Sequence, residues 1–332
     1  MVSRLIATYD DLPGRYNTGV VSSENLLPNL IIPGVQKCAT TSMHAILSSH
    51  PQCRMSAEKE LNFFTARWNE WNLPEYGQRC FPDDRRGDLR IFGESSTTYF
   101  SMPEAAMRIH EFIGARVRIL ILLRNPVERA ISAYWHMVKR SAENRSVKDV
   151  FANLPCEISD AIAEESLNLR RAKQAGEIDC RESAACTGDE FWNFQYVRNS
   201  FYLADLQRFQ AVFSREQVHV VLLEDLTTRC DSTLQRVAEF LQIDADGFGD
   251  FPLTNVTAIP KYGCGMQLAN TVARRMPGGP LRILRNILLS ATTCSPSAIP
   301  LDMRRRMAAL FHDHNEQLAG HLCRDLSIWN VC

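Results

Sequence analysis

Apolar residues in this chain gather in short unbroken runs separated by stretches of helical spacing. Leu30, Ile31 and Ile32 make the first run. Pro33 and Gly34 end it, and Met43, Ile46 and Leu47 then recur at helical spacing, so Asn29 to Ser49 reads as strand, tight turn and helix. Leu89 to Glu94 predicts a second strand, and Pro103 to Ile113 an amphipathic helix with proline at its start. The clearest strand is VRILILL, Val117 to Leu123, whose uninterrupted apolar character suits a central parallel strand buried on both faces. It ends in Arg124-Asn125-Pro126, and a helix is expected from Val127 with Ile131 and Tyr134 on one face. Tyr202, Leu206 and Phe209 share a helical face, Val218 to Leu223 predicts another buried strand, and Thr233 to Leu241 a further helix. Residues 1 to 28 are polar and aperiodic and read as a tail. Residues 68 to 90, with two tryptophans and PDDRRGD, read as a surface excursion. Residues 141 to 195 are polar and helix-prone, and AIAEESLNLRRAKQAGE reads as an exposed helix.

The turn after the first strand carries Lys37, Thr40, Thr41 and Ser42. Unpaired amides at a helix start, the positive end of the helix dipole, three hydroxyls and an ammonium together favour an anion, and a phosphate is the natural guest. An ordinary βα corner with Thr40 as helix cap is the structural alternative. A nucleoside-triphosphate P-loop does not fit the spacing. That motif runs G-x-x-x-x-G-K-[ST], with the lysine immediately before the hydroxyl residue; here lysine follows Gly34 after two residues and the hydroxyls come two residues later still. Arg124, leaving the carboxyl end of a strand, can fork two N–H groups to an anion, and Ser132 in the second turn of the next helix can join it; a helix start with a structural arginine is the alternative. Both loops fall outside the carboxyl ends of strands, where open parallel sheets collect ligands.

The length of 332 residues suits one large α/β domain or a domain with an elaborated cap. A hydrophobic content of 45% and a charged content of 23% are ordinary for a chain that buries a core. A net charge of −1 argues against bulk capture of DNA or another polyanion. The basic clusters Arg85–Arg86, Arg170–Arg171–Lys173 and Arg304 to Arg306 read as solvated faces. No apolar run approaches the roughly 18–20 residues that span a membrane, and the N-terminus has no signal-peptide core. Eleven cysteines without C-x-x-C pairs fit reduced thiols better than a disulfide framework or a zinc site, although Cys180 and Cys186 stand close enough to pair. The compartment expected is the cytoplasm. No internal repeat or low-complexity segment is present.

GVQKCATTSM resembles the 5′-phosphosulfate loop of sulfotransferases that use 3′-phosphoadenosine 5′-phosphosulfate (PAPS), in the branch that holds the heparan sulfate enzymes and many bacterial ones. Ala39 stands where glycine is usual. RNPVERAISAY resembles the family's 3′-phosphate motif, with Arg124 and Ser132 in the binding positions. KELNFF resembles the segment E-x-H-F-F, which places the general base on Glu60 and puts Asn62 where histidine is usual. GESSTTYF resembles E-K-[ST]-P-x-Y-F, with Glu94 and Tyr99 matching and Ser95 replacing a lysine. NVTAIPKYG resembles a loop returning over the nucleotide, making Lys261 a second 3′-phosphate ligand, and the final helix ending in DLSIW resembles the family's closing helix. The resemblance runs from about residue 29 to the C-terminus.

What it implies is a P-loop-like three-layer α/β fold. A central parallel β-sheet is flanked by helices, and a helical cap over the acceptor site spans about residues 141–195 of a domain covering 29–332. It implies in-line transfer of a sulfuryl group from PAPS to a hydroxyl, less often an amine, leaving adenosine 3′,5′-bisphosphate. Lys37 and Glu60 would be catalytic. Lys37, Cys38, Ala39, Thr40, Thr41, Ser42, Arg124, Ser132 and Lys261 would hold the donor, and Asn62, Ser95 and His136 would face the acceptor, with Trp192, Phe194 and Tyr196 either beside them or in the core. No metal is expected, since no H-E-x-x-H or clustered aspartates appear. Neutral net charge, Asn62 and Ser95 favour a small-molecule, lipid, glycan or carrier-bound acceptor over an anionic polymer, with no nucleic-acid partner and no membrane span. An ATP-dependent phosphotransferase and a non-catalytic nucleotide-binding module are the rival readings.

Overall fold

A computed structural model describes residues 26–330 apart from 84–86, 115, 182, 184–186, 250–258, 261–292 and 295–297. Lys261, Arg85, Arg86 and Cys186 lie outside the described residues, as does most of the expected tail; Leu26 and Leu27, at its end, pack on the core. Strands β1 (Leu30–Ile32), β2 (Cys53–Met55), β3 (Ile91–Ser95), β4 (Arg118–Leu123) and β5 (Val218–Leu222) form one sheet in the order β2-β3-β1-β4-β5. Every neighbouring pair is parallel, with Leu30 opposite both Gly93 and Arg118. The chain leaves β1 for one side of the sheet and returns to the other at β4. The reversal therefore falls between β1 and β4, and a crevice opens at their carboxyl ends.

The helices that flank this sheet are α1 (Thr40–Ser49), α2 (Leu73–Cys80), α3 (Ala105–Ile113), α4 (Pro126–Lys139), α5 (Val147–Phe151), α6 (Ile158–Gln174), α7 (Leu203–Val212), α8 (Leu223–Thr228), α9 (Cys230–Leu241) and α10 (Leu301–Leu322). A small antiparallel pair joins Ile259–Pro260 to Thr293–Cys294. Ile119 through Leu123 are all fully buried, as an apolar run between two sheet neighbours should be. Strand β5 is less buried than its sequence suggests: it lies at the sheet edge, and Val218, His219 and Val220 stay partly exposed.

Residues 68–90 are not the loose excursion expected. Asn72 caps α2 with a reciprocal bond to Glu75. Trp68 meets Phe112 edge-on at 4.6 Å, and Phe63 stacks on Tyr76 at 4.3 Å. The indoles thus extend the core on which the Glu60 loop rests.

A second apolar cluster joins α4 to residues 141–201 and to α10 through Tyr134, Phe151, Leu169, Tyr196, Met307 and Phe311. Phe194 and Tyr196 belong to this core. The fully buried Glu143 accepts two bonds from the Arg145 guanidinium, at 3.0 and 2.7 Å, and one from the Tyr196 hydroxyl at 3.0 Å. A buried carboxylate satisfied in this way holds the segment in one arrangement.

Candidate active site

The polar loops at the exits of β1, β3 and β4, with the turn after β2, line one cleft of about 780 Å³. From β1 the chain passes Gly34, where a Cβ would sit 2.8 Å from that of Phe100. Lys37 and Ala39 both take positive φ, 73° and 66°, turning the loop into the start of α1. This explains the usual glycine at position 39: the position demands a left-handed backbone, which alanine adopts at a cost. Ala39 is also the residue before α1, and it offers no side-chain acceptor to the first turn, which contains no acid. Thr40, Thr41 and Ser42 of that turn line the cleft. By contrast, α2 and α5 have capping side chains at Asn72 and Ser146.

Lys37 reaches into the same space. Burial, then Arg124, Lys139 and Arg129, push its ammonium down to about 8. Arg129 is almost wholly buried in α4, donating to the Ser200 hydroxyl at 2.8 Å and the Tyr196 carbonyl at 2.7 Å. Its fixed charge lies beneath the loop. Burial and the neighbouring cations together depress this lysine, and a negative charge placed beside it would offset that shift.

Arg124 leaves β4 with its carbonyl held by the Tyr202 hydroxyl at 2.9 Å, which gives that buried tyrosine a positioning role. Its guanidinium lies 3.4 Å from the Lys37 carbonyl and 3.8 Å from the Glu128 carboxylate. Asn125 caps α4 through the Val127 amide at 2.9 Å, with Pro126 as the first helical residue. Ser132 lies one turn beyond Glu128 and lines the cleft.

Glu60 enters from the turn after β2. Its amide donates to the Ser95 carbonyl at 2.9 Å; its carboxylate accepts the Thr97 amide at 2.7 Å and pairs with Lys59. Asn62, in the histidine position, is spent on this turn: its amide group donates to the Glu60 carbonyl at 2.8 Å and accepts from Thr98 at 2.9 Å. His136 lines the cleft as a neutral imidazole, pushed down to about 3 by burial and then by Lys37, Arg140 and Lys139.

Of the residues expected at the site, Lys37, Ala39, Thr40, Thr41, Ser42, Glu60, Asn62, Arg124, Ser132 and His136 share this cleft. Two expected residues turn elsewhere. The Cys38 side chain is fully buried, its thiol pushed up to about 12 by burial, so only its backbone is near the loop. Ser95 is fully buried and bonds the His44 ring at 3.0 Å, because β3 runs through it and points its hydroxyl at α1. Lining residues that were not anticipated include Gln36, Lys59, Thr97, Asn193 and Arg304; Trp192 lines it as one of its two readings allowed. Gln36, Lys59 and Thr97 fall inside motifs read from the sequence but have no role there, and Arg304 falls in a cluster read as solvated. Among the described residues no cluster of three or more His, Cys, Asp or Glu is placed to hold a metal, and no helix is long and apolar enough to cross a membrane.

Comparison with known proteins agrees with this fold. The sulfotransferase domain model matches residues 27–255. Membrane-associated sulfotransferase kil1 of Dictyostelium discoideum is 24% identical over 283 residues, covering 69% of this chain and 59% of that protein. Human heparan sulfate glucosamine 3-O-sulfotransferase 5 is 27% identical over 217 residues, covering 65% and 54%. The chain thus spans little more than half the length of these relatives. A crystal structure of a sulfotransferase from Alicyclobacillus acidocaldarius has the same fold, with a TM-score of 0.63 at 23% identity, covering 92% of this chain and 99% of that one.

Proposed function

Because this chain belongs to the sulfotransferase domain family, we propose that it moves the sulfuryl group of PAPS to an acceptor hydroxyl, less often an amine, by in-line displacement. The observation that carries the reading is the convergence of an uncapped helix start, Lys37 and Arg124 on one cleft that also holds Glu60. A nucleotide with a phosphate at each end of its ribose matches two cation sets leaving adjacent strands. PAPS supplies the activated sulfate and a 5′-phosphate as leaving group. The amides around Thr40 and Thr41, with their hydroxyls, hold that phosphate, and Lys37 neutralises the charge that builds on the bridging oxygen. Arg124 and Ser132 hold the 3′-phosphate. Glu60, kept in place by the Thr97 amide and Lys59, takes the acceptor proton as the nucleophile attacks. Positioning and fixed charge carry most of the acceleration.

With Asn62 and Ser95 committed to the fold, the acceptor is met instead by Lys59, His136 and the cap residues Trp192 and Asn193. A small-molecule, lipid, glycan or carrier-bound acceptor remains part of the proposal. So does cytoplasmic residence, supported by free thiols at Cys38, Cys53, Cys80, Cys156, Cys180, Cys230 and Cys323.

Thermal unfolding with adenosine 3′,5′-bisphosphate and with ATP plus magnesium tests the donor. The bisphosphate should raise the melting temperature at concentrations where Mg-ATP does not. Stabilisation by Mg-ATP alone would replace this reading with a phosphotransferase. Transfer of label from ³⁵S-PAPS to an acceptor panel then separates an enzyme from a binding module.

A further inference from the structure

The run Arg304 to Arg306 is not one solvated face. Arg306 bonds Asp302 at 3.1 Å on the exposed side of α10, and Arg305 is exposed. Arg304 turns the other way. It lines the donor cleft and donates to the Glu128 carboxylate, whose other oxygen lies 3.8 Å from the Arg124 guanidinium. Glu128 is thus shared by two arginines, one from the exit of β4 and one from a helix beyond residues 27–255. Ser132 lies one helical turn from Glu128 on α4, on the same face.

The charges do not balance within this group. Two guanidinium groups meet one carboxylate, leaving a net charge of about +1 beside a hydroxyl donor. Each guanidinium carries five N–H donors in a planar fork, and one carboxylate with about four lone-pair sites cannot use them all. Each of the three side chains keeps about a third or less of its surface exposed, so their charges are only partly screened. A dianionic phosphate entering between Arg124 and Ser132 meets the unused edges of both arginines.

Resting on the proposed PAPS reading, we propose that Arg304 is a second arginine ligand of the donor's 3′-phosphate, presented by α10 and held in its approach by Glu128. The closing helix thereby becomes part of the nucleotide site. The cradle that distinguishes a 3′-phosphorylated adenosine from an ordinary one is then built from two parts of the chain far apart in sequence.

The test compares binding of adenosine 3′,5′-bisphosphate with binding of adenosine 5′-phosphate, which lacks the 3′ group, by isothermal titration calorimetry. Arg304→Ala should weaken the bisphosphate about 10–100-fold, the scale of charge-assisted hydrogen bonds, and leave the monophosphate unchanged. Arg304→Lys should recover part of the loss, and Arg305→Ala none of it should incur. Equal weakening of both nucleotides by Arg304→Ala would show a merely structural role and overturn the proposal, as would undiminished preference for the bisphosphate. If the wild-type chain itself shows no preference for the bisphosphate, the PAPS reading fails before Arg304 is at issue. Should Arg304→Ala not fold, the same ratio measured in Arg304→Gln decides.

Discussion

The depressed Lys37 ammonium makes donor binding depend on pH in a direction that can be worked out beforehand. Its value near 8 arises from burial, then from Arg124, Lys139 and Arg129. A bound phosphate adds negative charge beside the ammonium and raises its affinity for a proton. Binding above pH 8 therefore requires proton uptake. Between pH 7 and pH 9 the protonated fraction of the free lysine falls from about nine-tenths to about one-tenth. Affinity for adenosine 3′,5′-bisphosphate should fall about tenfold over that window, ~1.4 kcal/mol, provided the bound lysine stays protonated.

The window is chosen to isolate this group. Phosphate monoesters have their second pKa near 6 and are about nine-tenths dianionic by pH 7, His136 loses its proton well below the window, and the Cys38 thiol titrates well above it. Two other buried carboxyls titrate within it or at its edge: burial pushes Glu94 up to about 8 and Glu165 up to about 7. Lys37→Met separates the ammonium from both. Calorimetry at pH 7, 8 and 9 should find the variant about 10–100-fold weaker at pH 7 and nearly flat across the series. If wild-type affinity is flat, or if Lys37→Met retains the tenfold slope, the ammonium does not meet the donor anion. A retained slope would assign the titration to the buried carboxyls Glu94 and Glu165.

Glu60→Gln keeps an oxygen for the Thr97 amide but cannot take a proton at neutral pH; turnover should fall about 10²–10⁴-fold with bisphosphate affinity unchanged, and near-normal turnover in a coupled assay would remove Glu60 as base. Ala39→Gly should relieve a left-handed alanine worth about 1–2 kcal/mol, less about 0.4–1 kcal/mol for the freer unfolded chain, raising the melting temperature by about 1–2 °C in calorimetry; a loss of stability would show that the backbone is not strained there. Gln36 donates to Asn193 at 3.0 Å and ties the phosphate loop to the cap, so Gln36→Ala and Asn193→Ala should couple by about 0.5–1.5 kcal/mol in a denaturation double-mutant cycle, and additive losses would show that the two loops stand independently.

The residues legible in the sequence are those whose position follows from hydrophobic pattern alone. Lys37 lies in the turn after one apolar run and Arg124 directly follows another, and loops leaving the carboxyl ends of central parallel strands border the ligand crevice. Ser95 was misread because β3 continues through it, and one residue of register decides whether a side chain meets the cleft or the neighbouring helix. Asn62 carries the right polarity, yet its partners Thr98 and the Glu60 carbonyl are fixed only by how two loops cross. Arg304 was hidden in a run of three arginines. Met303 and Met307 mark the buried stripe of α10, and Arg304 sits at its margin, where neither composition nor spacing tells a solvated charge from one turned into a cleft. Trp68 and Trp71 looked like surface residues because the aromatic partners that half-bury them lie 4 to 44 residues away in the sequence.

Among the described residues, seven without a glycine's freedom take positive φ, and four of them, Lys37, Ala39, Glu60 and Asn62, line the cleft. Each such conformation costs about 1–3 kcal/mol and persists only where surrounding contacts over-determine it. Those contacts are visible. The Cys38 amide bonds the Val35 carbonyl at 3.1 Å, the Val35 amide bonds Leu122 in β4 at 2.9 Å, and the Glu60 turn is tied to Ser95, Ser96, Thr97 and Thr98. Strain is therefore concentrated in the two turns that carry the ammonium and the carboxylate, and the rigid strand exits hold both. A lysine and a glutamate positioned this way do not have to be gathered when substrates arrive. Their geometry is set during folding, and the stability of the parallel sheet offsets its cost.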